Sequence, residues 1–311
     1  MTRDLIMLPP HDETPAHWAQ AVAQAAPGLR VRVAPDRESA LRWLPEAQAA
    51  FGTLDAELLA AARNLQWLQA PMAAPPAGYF FPELVAHPVQ VTNFRGIYND
   101  HVATHALAML LSLARGFPLY MRQQLRGEWT RHLADEDILH LPESTVLVVG
   151  VGGIGAEIAR MVAAFGARVI GIDPRRTDAP EGVAEMHAPE ALDSLLPQCD
   201  AVILTLPHTP ESEGMIDARR LALMRPRSLL VNIGRGATVK LDAVLAALRQ
   251  GRLGGVALDV FEEEPLAAGS LLAEAPNLIL TPHIAGVTLE ANERVSSLVA
   301  ERVAACLLGS G

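Results

Sequence analysis

Short apolar runs alternate along most of the chain with longer stretches that carry apolar residues at helical spacing. Because apolar runs bounded by polar residues or glycine favour buried strands, this alternation predicts parallel sheets with helices packed on both faces. The predicted strands cover residues 4–8, 29–33, 49–53, 65–71, 145–150, 167–173, 201–206, 228–234, 255–261 and 278–284.

The helical stretches divide these strands into two groups. A length of 311 residues suits two domains, and half of the residues are hydrophobic, which is enough for a sizeable core in each. We therefore predict two doubly wound α/β units: residues 1–98, completed by 287–311, and residues 99–286. The predicted helices include 14–26, a single long helix over about 99–124, and a last helix over about 288–307.

The segment 146–173 carries a dinucleotide-binding pattern. Gly150, Gly152 and Gly155 form G-x-G-x-x-G directly after a predicted strand and directly before a helical stretch. The first glycine suits a tight turn, the second lets the backbone approach a pyrophosphate, and the third lets helix and strand pack closely. The pyrophosphate would bind at the helix N-terminus, where N–H groups and the helix dipole favour an anion.

Asp173 follows 18 residues after Gly155, at the end of the next predicted strand, where a carboxylate binds the adenine ribose hydroxyls. It favours NAD, because a carboxylate repels the additional 2′-phosphate of NADP. Arg175 and Arg176 follow at once, and their guanidinium groups could pair with that phosphate. The sequence predicts NAD and leaves NADP open. Two structural interpretations stay open: Arg175 and Arg176 as a solvated pair, and the glycine pattern as an ordinary turn between strand and helix that binds no ligand.

Polar residues follow three later strands of the second group. Arg235 stands between two glycines, which suit close approach of the backbone to an anionic ligand. Asp259 ends the next strand and is followed by Glu262–Glu264, and His283 follows the last strand. Because ligands bind outside the carboxyl ends of parallel strands, we expect these groups to gather near the cofactor.

These residue types suit hydride transfer between a nicotinamide and a carbonyl or alcohol carbon. Histidine as a residue type titrates in the range needed to give or take the proton of the oxygen, which suits His283 to this role, and a neighbouring carboxylate would favour the protonated form. Arg235 would bind a substrate carboxylate and polarise the carbonyl. Each residue alone also fits a structural or surface role. Their combination, downstream of the glycine pattern, favours the catalytic one.

Composition narrows the partners and the compartment. The net charge is −10 without a long basic run, which argues against nucleic acid as a partner. The most apolar helical stretch, 106–114, is too short to span a membrane, and the N-terminus lacks the apolar stretch of a signal peptide. Only Cys199 and Cys306 are present, so we expect no disulfide framework, no metal site and a cytoplasmic location.

Five motifs carry a resemblance to a known family over roughly residues 90–287. The motifs are "GVGGIG", "LTLPHTPESEGMI", "NIGRGA", "ALDVFEEEPL" and "NLILTPHIAG". With these motifs in this order, the chain resembles the D-isomer-specific 2-hydroxyacid dehydrogenases, and within them the glyoxylate/hydroxypyruvate reductases most. The resemblance implies a Rossmann dinucleotide-binding domain, a smaller flavodoxin-like substrate (lid) domain, and a homodimer formed through the nucleotide domain.

The resemblance also implies roles for individual residues. Arg235, Glu264 and His283 match the catalytic triad. Ala73 and Ala74, in the segment matching the family's substrate loop, would bind the substrate carboxylate through backbone N–H groups, together with Arg235. The implied cofactor contacts are Gly150, Gly152, Gly153, Ile154, Gly155, Asp173, Arg175, Arg176, Leu206, Pro207, Ile233 and Asp259.

The substrate loop departs from the family pattern. It reads "MAAPP" over 72–76, and proline has no N–H, so Pro75 and Pro76 remove possible carboxylate donors. The bulky "GYFF" at 78–81 could enclose a larger, apolar acid. Alternatives to a small 2-oxo acid are therefore a bulkier acid, phosphite, or a non-catalytic NAD(H)-sensing role. Formate is disfavoured, because formate enzymes of this family carry glutamine in place of Glu264.

Overall fold

The computed structural model describes residues 3–10, 14–72, 75, 78–131, 134, 138–267, 275–286, 294, 295, 297–299, 301, 302 and 305. The chain divides into two compact units, one formed by residues 1–98 with 288–311 and the other by residues 99–287. Each unit is built on one parallel sheet.

The first unit has a five-stranded sheet, and the backbone at 294, 295, 297–299, 301 and 302 adds helical turns to it. Its elements are β1 (Arg3–Met7), α1 (Thr14–Ala25), β2 (Leu29–Val33), α2 (Arg37–Trp43), β3 (Ala49–Phe51), α3 (Ala56–Ala61), β4 (Trp67–Gln69), α4 (Pro82–Ala86) and β5 (Gln90–Thr92). The strand order β2-β1-β3-β4-β5 is that of flavodoxin-like proteins.

The sheet of the first unit is covered on both faces. Side chains of a strand alternate between faces, so Ile6 packs in one apolar cluster while Leu5 and Met7 pack in another. Val295 and Val299, from the end of the chain, belong to the second cluster. The C-terminal segment therefore completes the core of this unit.

The second unit has a seven-stranded sheet. Its elements are α5 (Asn99–Ala114), α6 (Phe117–Leu125), β6 (Thr145–Val149), α7 (Gly153–Ala164), β7 (Arg168–Ile172), β8 (Glu185–His187), α8 (Leu192–Leu195), β9 (Ala201–Leu204), α9 (Ala218–Leu223), β10 (Leu229–Asn232), α10 (Leu241–Arg249), β11 (Gly255–Leu258) and β12 (Leu278–Leu280). The strand order is β12-β11-β10-β9-β6-β7-β8, with every pair parallel. This is the Rossmann order, and the predicted fold class is confirmed.

The prediction of a single long helix over 99–124 is wrong. Two helices, α5 and α6, meet there at a bend of 73°. Gly116 lies between them with a φ of 67°, in the left-handed region, and Pro118 stands in the first turn of α6. Among the described helices, none is by itself long and apolar enough to cross a membrane, and this bent pair alone meets that test jointly.

The strands β5 and β8 are absent from the sequence prediction. Each has three residues and lies at the edge of its sheet, with no fully buried position. Such strands leave no apolar run to detect, because only one neighbour and part of one face constrain them. The last predicted helix, 288–307, falls largely outside the described residues.

Candidate active site

The second unit has a topological switch point between β6 and β9. These strands are neighbours in the sheet, but the chain leaves β6 toward β7 and β8, and returns to the other side through β9. Helices leaving in opposite directions open a crevice at the carboxyl ends of the two strands. The glycine-rich loop follows β6 and lies at this point.

Three glycines of this loop lie where an added side chain would meet other atoms of the protein. Gly150 has a φ of 97°, and a Cβ on it would lie 2.8 Å from Thr205 Oγ1. A Cβ on Gly155 would lie 2.0 Å from the Gly150 carbonyl oxygen, so α7 can pack on β6 only with glycine there. A Cβ on Gly153 would meet the Asn99 amide at 2.5 Å.

Gly152 differs from the other glycines in this loop. A Cβ built on it meets no protein atom within 4 Å, and its φ of −76° is open to any residue. Gly152 is the N-cap of α7, and no side chain caps this helix. An uncapped helix N-terminus beside open space at a Rossmann switch point fits the pyrophosphate of a dinucleotide.

Asp173 follows β7, as predicted. Its Oδ1 accepts the backbone N–H groups of Arg175 at 2.9 Å and of Arg176 at 3.0 Å, which folds the loop around the carboxylate. The Arg176 guanidinium turns toward the glycine-rich loop, where Nη1 donates to the Val151 carbonyl at 3.2 Å. The exposed Arg175 side chain makes no hydrogen bond or ion pair with residues in the described ranges.

The loop after β10 holds Arg235 between Gly234 and Gly236, and neither glycine has a positive φ. A Cβ on Gly234 would lie 2.6 Å from the Leu206 carbonyl oxygen, and one on Gly236 would lie 1.9 Å from the Phe261 carbonyl carbon. The structure thus gives these glycines a role that the sequence analysis did not predict. They admit neighbouring backbone, which presses the Arg235 loop against the two adjacent loops.

Asn232, which the sequence analysis missed, ties this loop together. It is fully buried, and its amide donates to the Arg235 carbonyl at 3.0 Å while its Oδ1 accepts the Gly234 N–H at 3.1 Å. The Thr238 hydroxyl donates to the same Arg235 carbonyl at 2.7 Å. A polar residue inside the apolar run "LLVN" was the available signal.

Glu264 and His283 form an ion pair at the sheet edge. The Nδ1 of His283 lies 2.7 Å from Glu264 Oε2, and Glu264 Oε1 accepts the Phe261 N–H at 2.8 Å. All three candidate carboxylates, Glu262, Glu263 and Glu264, are exposed, and among them the structure pairs only Glu264 with the histidine. His283 adopts a left-handed backbone conformation, with a φ of 54°.

The electrostatics of Glu264 reflect its position. Partial burial opposes ionisation, but the hydrogen bonds from His283 and the Phe261 N–H outweigh it and lower the pKa of Glu264. The charges of His283 and Arg235 act in the same direction. The pKa of Glu264 thus responds to both His283 and Arg235, and the three predicted residues follow the neighbouring strands β10, β11 and β12.

Asp259 has its carboxylate inside the protein. Its side chain is buried, and both oxygens accept hydrogen bonds from the loop that carries His283. Ile233 is also buried, and its N–H donates to the Leu204 carbonyl. Leu206 is half-buried and Pro207 is exposed on the loop after β9. All four residues lie at the carboxyl ends of β9, β10 and β11, as predicted.

Ala73, Ala74 and Pro76 of the predicted substrate loop lie outside the described residues. Tyr79, in the following segment, is buried, and its hydroxyl donates to the Gly52 carbonyl at 2.9 Å, whereas Phe80 is 51% exposed. Of the two rings, only that of Phe80 is available to a ligand.

Within the ranges that the structure describes, no three His, Cys, Asp or Glu residues come together as a metal site.

The seven-stranded sheet, with a glycine-rich loop at its switch point, makes the second unit a dinucleotide-binding domain. A family model for the D-isomer specific 2-hydroxyacid dehydrogenase, NAD binding domain, matches residues 107–285. The chain therefore belongs to the D-isomer specific 2-hydroxyacid dehydrogenases, oxidoreductases that act on CH–OH donors with NAD(P). The family predicted from the motifs is confirmed.

Individual relatives agree with this assignment. An (S)-sulfolactate dehydrogenase of Chromohalobacter salexigens is 42% identical over 206 residues, which span just under two thirds (65%) of each protein. A glyoxylate reductase of Thermofilum pendens is 32% identical over 286 residues, 88% of this chain and 83% of that protein. A D-isomer specific 2-hydroxyacid dehydrogenase from Xanthobacter autotrophicus, solved with NADPH and MES, has a TM-score of 0.82 and 30% identity, covering 98% of this chain and 96% of that one.

Proposed function

We propose that this protein reduces a small 2-oxo acid to the D-2-hydroxy acid with NAD(P)H, and catalyses the reverse reaction. The observation that carries the proposal is the 2.7 Å pairing of His283 Nδ1 with Glu264 Oε2, on the sheet that carries the glycine-rich loop. A histidine paired in this way can exchange a proton with a substrate oxygen.

Glu264 determines which nitrogen of His283 reacts. Because the pKa of Glu264 is lowered, the carboxylate stays ionised and accepts the proton on Nδ1. Nε2 is then the nitrogen that donates a proton to the carbonyl oxygen during reduction, and accepts it from the hydroxyl during oxidation. Glu264 also stabilises the imidazolium, which is the form that donates the proton in reduction and the form that results from oxidation.

Arg235 is proposed to bind the substrate carboxylate and to polarise its carbonyl group. Its Nη1 donates to the Gly234 carbonyl at 2.6 Å, which holds one side of the guanidinium and leaves donors on the other side. A guanidinium offers the paired donors that a carboxylate accepts. The bonds from Asn232 and Thr238 to the Arg235 carbonyl keep this group in place.

The glycine-rich loop is proposed to bind the cofactor through the N-terminus of α7. When bound, NAD(P)H supplies the hydride that reaches C2 of the acid. Gly152 leaves room for the pyrophosphate, Asp173 and Arg176 lie where the adenine ribose binds, and Leu206, Pro207, Ile233 and Asp259 line the nicotinamide end. Gly153 and Ile154 contribute N–H groups of the first helical turn.

Residues 1–98 with 288–311 are proposed to serve as the substrate (lid) domain, and residues 99–287 as the dinucleotide-binding domain. The division of the chain into two units supports this assignment. Ala73 and Ala74 would supply backbone donors to the substrate carboxylate.

The substrate is proposed to resemble glyoxylate or hydroxypyruvate, because the glyoxylate reductase aligns along most of both chains. A second candidate is an acid with a further anionic group, since the sulfolactate dehydrogenase is 42% identical over the aligned region. A bulkier apolar acid and phosphite are the remaining candidate substrates. A purely NAD(H)-sensing role is disfavoured by the intact Glu264–His283 pair.

We propose that the protein is a homodimer, and that an exposed apolar stripe on α6 forms the contact. Phe117, Met121 and Leu125 are spaced four residues apart, on one face of the helix, and are 54%, 62% and 88% exposed. Trp129 follows and is fully exposed. Apolar surface of this kind is typical of a protein interface.

A cytoplasmic location is proposed from the cysteine content. Cys199 is a free thiol in the core, and burial raises its pKa to about 11. A thiol of this kind is unreactive, which suits a reducing compartment.

Reduction of 2-oxo acids by the purified protein tests the proposed function. Absorbance of the reduced nicotinamide is followed with NADH and NADPH against glyoxylate, hydroxypyruvate, pyruvate, sulfopyruvate and a phenyl-substituted 2-oxo acid, with NAD and phosphite as the oxidative arm. Turnover of an acid by the wild type, together with loss of this turnover in His283→Ala and in Arg235→Ala, supports the assignment. Cofactor binding without turnover of any acid would overturn it.

A further inference from the structure

The loop that carries His283 is folded around a buried carboxylate. Asp259 is 1% exposed, its Oδ1 accepts the Ile284 N–H at 3.0 Å, and its Oδ2 accepts the Ala285 N–H at 3.1 Å. The Asp259 carbonyl accepts the His283 N–H at 2.9 Å. Asp259 thus holds the backbone at His283 and directly after it.

A hydrogen-bonded chain leads from this carboxylate to α5. Thr281 Oγ1 lies 2.6 Å from Asp259 Oδ1, and His105 Nε2 lies 3.1 Å from the same hydroxyl. An ionised carboxylate can only accept, so the Thr281 hydroxyl donates to Asp259 and accepts from His105. His105 therefore carries a proton on Nε2, which also lies 3.7 Å from Asp259 Oδ1.

This chain supports an uncommon backbone conformation. His283 has a φ of 54°, which few residues other than glycine adopt, although histidine does so more often than most. Such conformations persist where the surrounding contacts over-determine them. Thr281 is two residues before His283, and its carbonyl also accepts the His283 N–H at 3.0 Å. The Thr281 side chain is thus the link by which α5 restrains the histidine.

We propose that His105 is a positioning residue for His283, acting through Thr281 and Asp259. The inference rests on the proposed function. His105 holds the Thr281 hydroxyl toward Asp259, this keeps the loop wrapped around the carboxylate, and the loop presents the His283 ring to Glu264. His105 is not a catalytic residue, since its contacts are with Thr281 and Asp259.

Four variants of the full-length protein separate positioning from mere structural support. His105→Leu and Thr281→Val remove a polar group, whereas His105→Gln keeps a donor and Thr281→Ser keeps the hydroxyl. Thr104→Ala is the control, because Thr104 is exposed on the same helix and donates only to the Asp100 carbonyl. Circular dichroism and the melting temperature establish that each variant is folded.

Kinetics with the preferred acid give the first readout. We expect kcat to fall by about 10²-fold in His105→Leu and Thr281→Val, the scale of a displacement of about 1 Å at the reacting group. KM for acid and cofactor should change by less than about threefold, and His105→Gln and Thr281→Ser should recover most of kcat. Folded His105→Leu with a wild-type kcat would overturn the proposal. So would loss of kcat that neither conservative variant recovers.

The titration of Glu264 gives a readout that needs no turnover. Its carboxyl resonance, assigned in ¹³C-labelled protein by its loss in Glu264→Gln, titrates at a pH below the ordinary glutamate value because of the bond from His283. In His105→Leu the pairing loosens, so this midpoint should rise, while Thr104→Ala should match the wild type. An unchanged midpoint would refute the positioning role. If the wild type turns over no acid, the proposed function fails separately, and this titration still decides the role of His105.

Discussion

Glu264 is the residue whose environment is most clearly defined at the candidate active site. Burial makes its charge less favourable, but His283 and the Phe261 N–H more than compensate, so the net shift of its pKa is downward. Three consecutive glutamates follow the strand, the family resemblance indicates Glu264, and the structure pairs this glutamate with His283. The neighbouring Glu263 is exposed and provides a matched control.

Replacing Glu264 by glutamine should lower kcat by about 10²-fold or more, within the usual contribution of acid–base groups. The variant keeps the size of the side chain but loses the charge that orients and stabilises protonated His283. Glu263→Gln should retain wild-type activity. Steady-state kinetics with both variants check this, and equal rates for Glu264→Gln and wild type would contradict it.

The lowered pKa of Glu264 predicts that the stability of the protein depends on pH. A carboxyl whose pKa is depressed by folding stabilises the native state fully above its unfolded-state pKa, of about 4.3, and this contribution is lost as pH falls through the lower folded-state pKa. The free energy of unfolding of the wild type should therefore exceed that of Glu264→Gln at neutral pH, and the gap should narrow in acid. Urea unfolding over a pH series measures the gap, with Glu263→Gln as the reference. A gap that is constant with pH would disprove the linkage.

The two arginines after Asp173 are expected to differ in their effect on cofactor use. Arg175 has a free side chain among the described residues, so it is available to the 2′-phosphate. Arg175→Ala should lower kcat/KM for NADPH by about tenfold, which corresponds to the loss of one charged hydrogen bond, and should leave kcat/KM for NADH unchanged. Arg176 also braces the Val151 carbonyl, so Arg176→Ala should weaken both cofactors. Kinetics with NADH and NADPH test this, with Arg219→Ala as a distant control. Equal losses with both cofactors in Arg175→Ala would rule out phosphate recognition by Arg175.

At the scale of elements, the glycine-rich loop shows that glycines of one motif meet different needs. Gly150 and Gly155 allow β6, α7 and the loop after β9 to approach one another, whereas Gly152 faces open space. The motif is visible in the sequence because its spacing is local. Which glycine serves the fold, and which the ligand, depends on atoms that the spacing does not reveal, such as the Gly150 carbonyl beside Gly155 and the distant Thr205 hydroxyl beside Gly150.

Alanine substitutions should separate these two roles. Gly155→Ala should destabilise the protein by about 1–3 kcal/mol or more, because its Cβ would collide with the Gly150 carbonyl at 2.0 Å. Gly152→Ala should melt within about 2 °C of the wild type without cofactor, yet bind NADH at least about tenfold more weakly. Thermal melts and fluorescence titration with NADH give both values. Wild-type affinity in Gly152→Ala would show that the pyrophosphate does not approach this glycine.

The break between α5 and α6 was also encoded locally. The dipeptides Arg115–Gly116 and Phe117–Pro118 carry a left-handed glycine and a first-turn proline. Apolar periodicity continues through both helices and masked these signals in the sequence analysis. The bend of 73° gives α6 its own direction and leaves its apolar stripe on the surface.

At the scale of the whole molecule, that stripe predicts the oligomeric state. Wild-type protein should behave as a dimer of the 33.3 kDa chain, and Leu125→Glu should shift it to the monomer, because a charge placed among desolvated apolar groups opposes association. Phe165→Ser, at an exposed apolar site outside α6, is the control. Size-exclusion chromatography with light scattering measures the mass. A monomeric wild type, or a dimer that survives Leu125→Glu, would contradict the assignment.

The sequence by itself determined the fold class, the glycine-rich loop, the order of the motifs and the strand ends that carry Arg235 and His283. These features follow from local spacing, because the pattern of a strand, a turn and a helix is written in consecutive residues. A parallel sheet then brings its carboxyl ends to one edge, whatever the details of packing.

Only the tertiary structure decided why glycines flank Arg235 and how Asn232 and Asp259 are used, and it paired His283 with the glutamate that the family resemblance had indicated. Each of these depends on backbone from a distant strand: Leu206 and Phe261 exclude a side chain at the glycines, and the 281–285 loop supplies the partners of Asp259. Such contacts have no sequence spacing to reveal them. They arise when buried polar groups must find partners within a close-packed sheet.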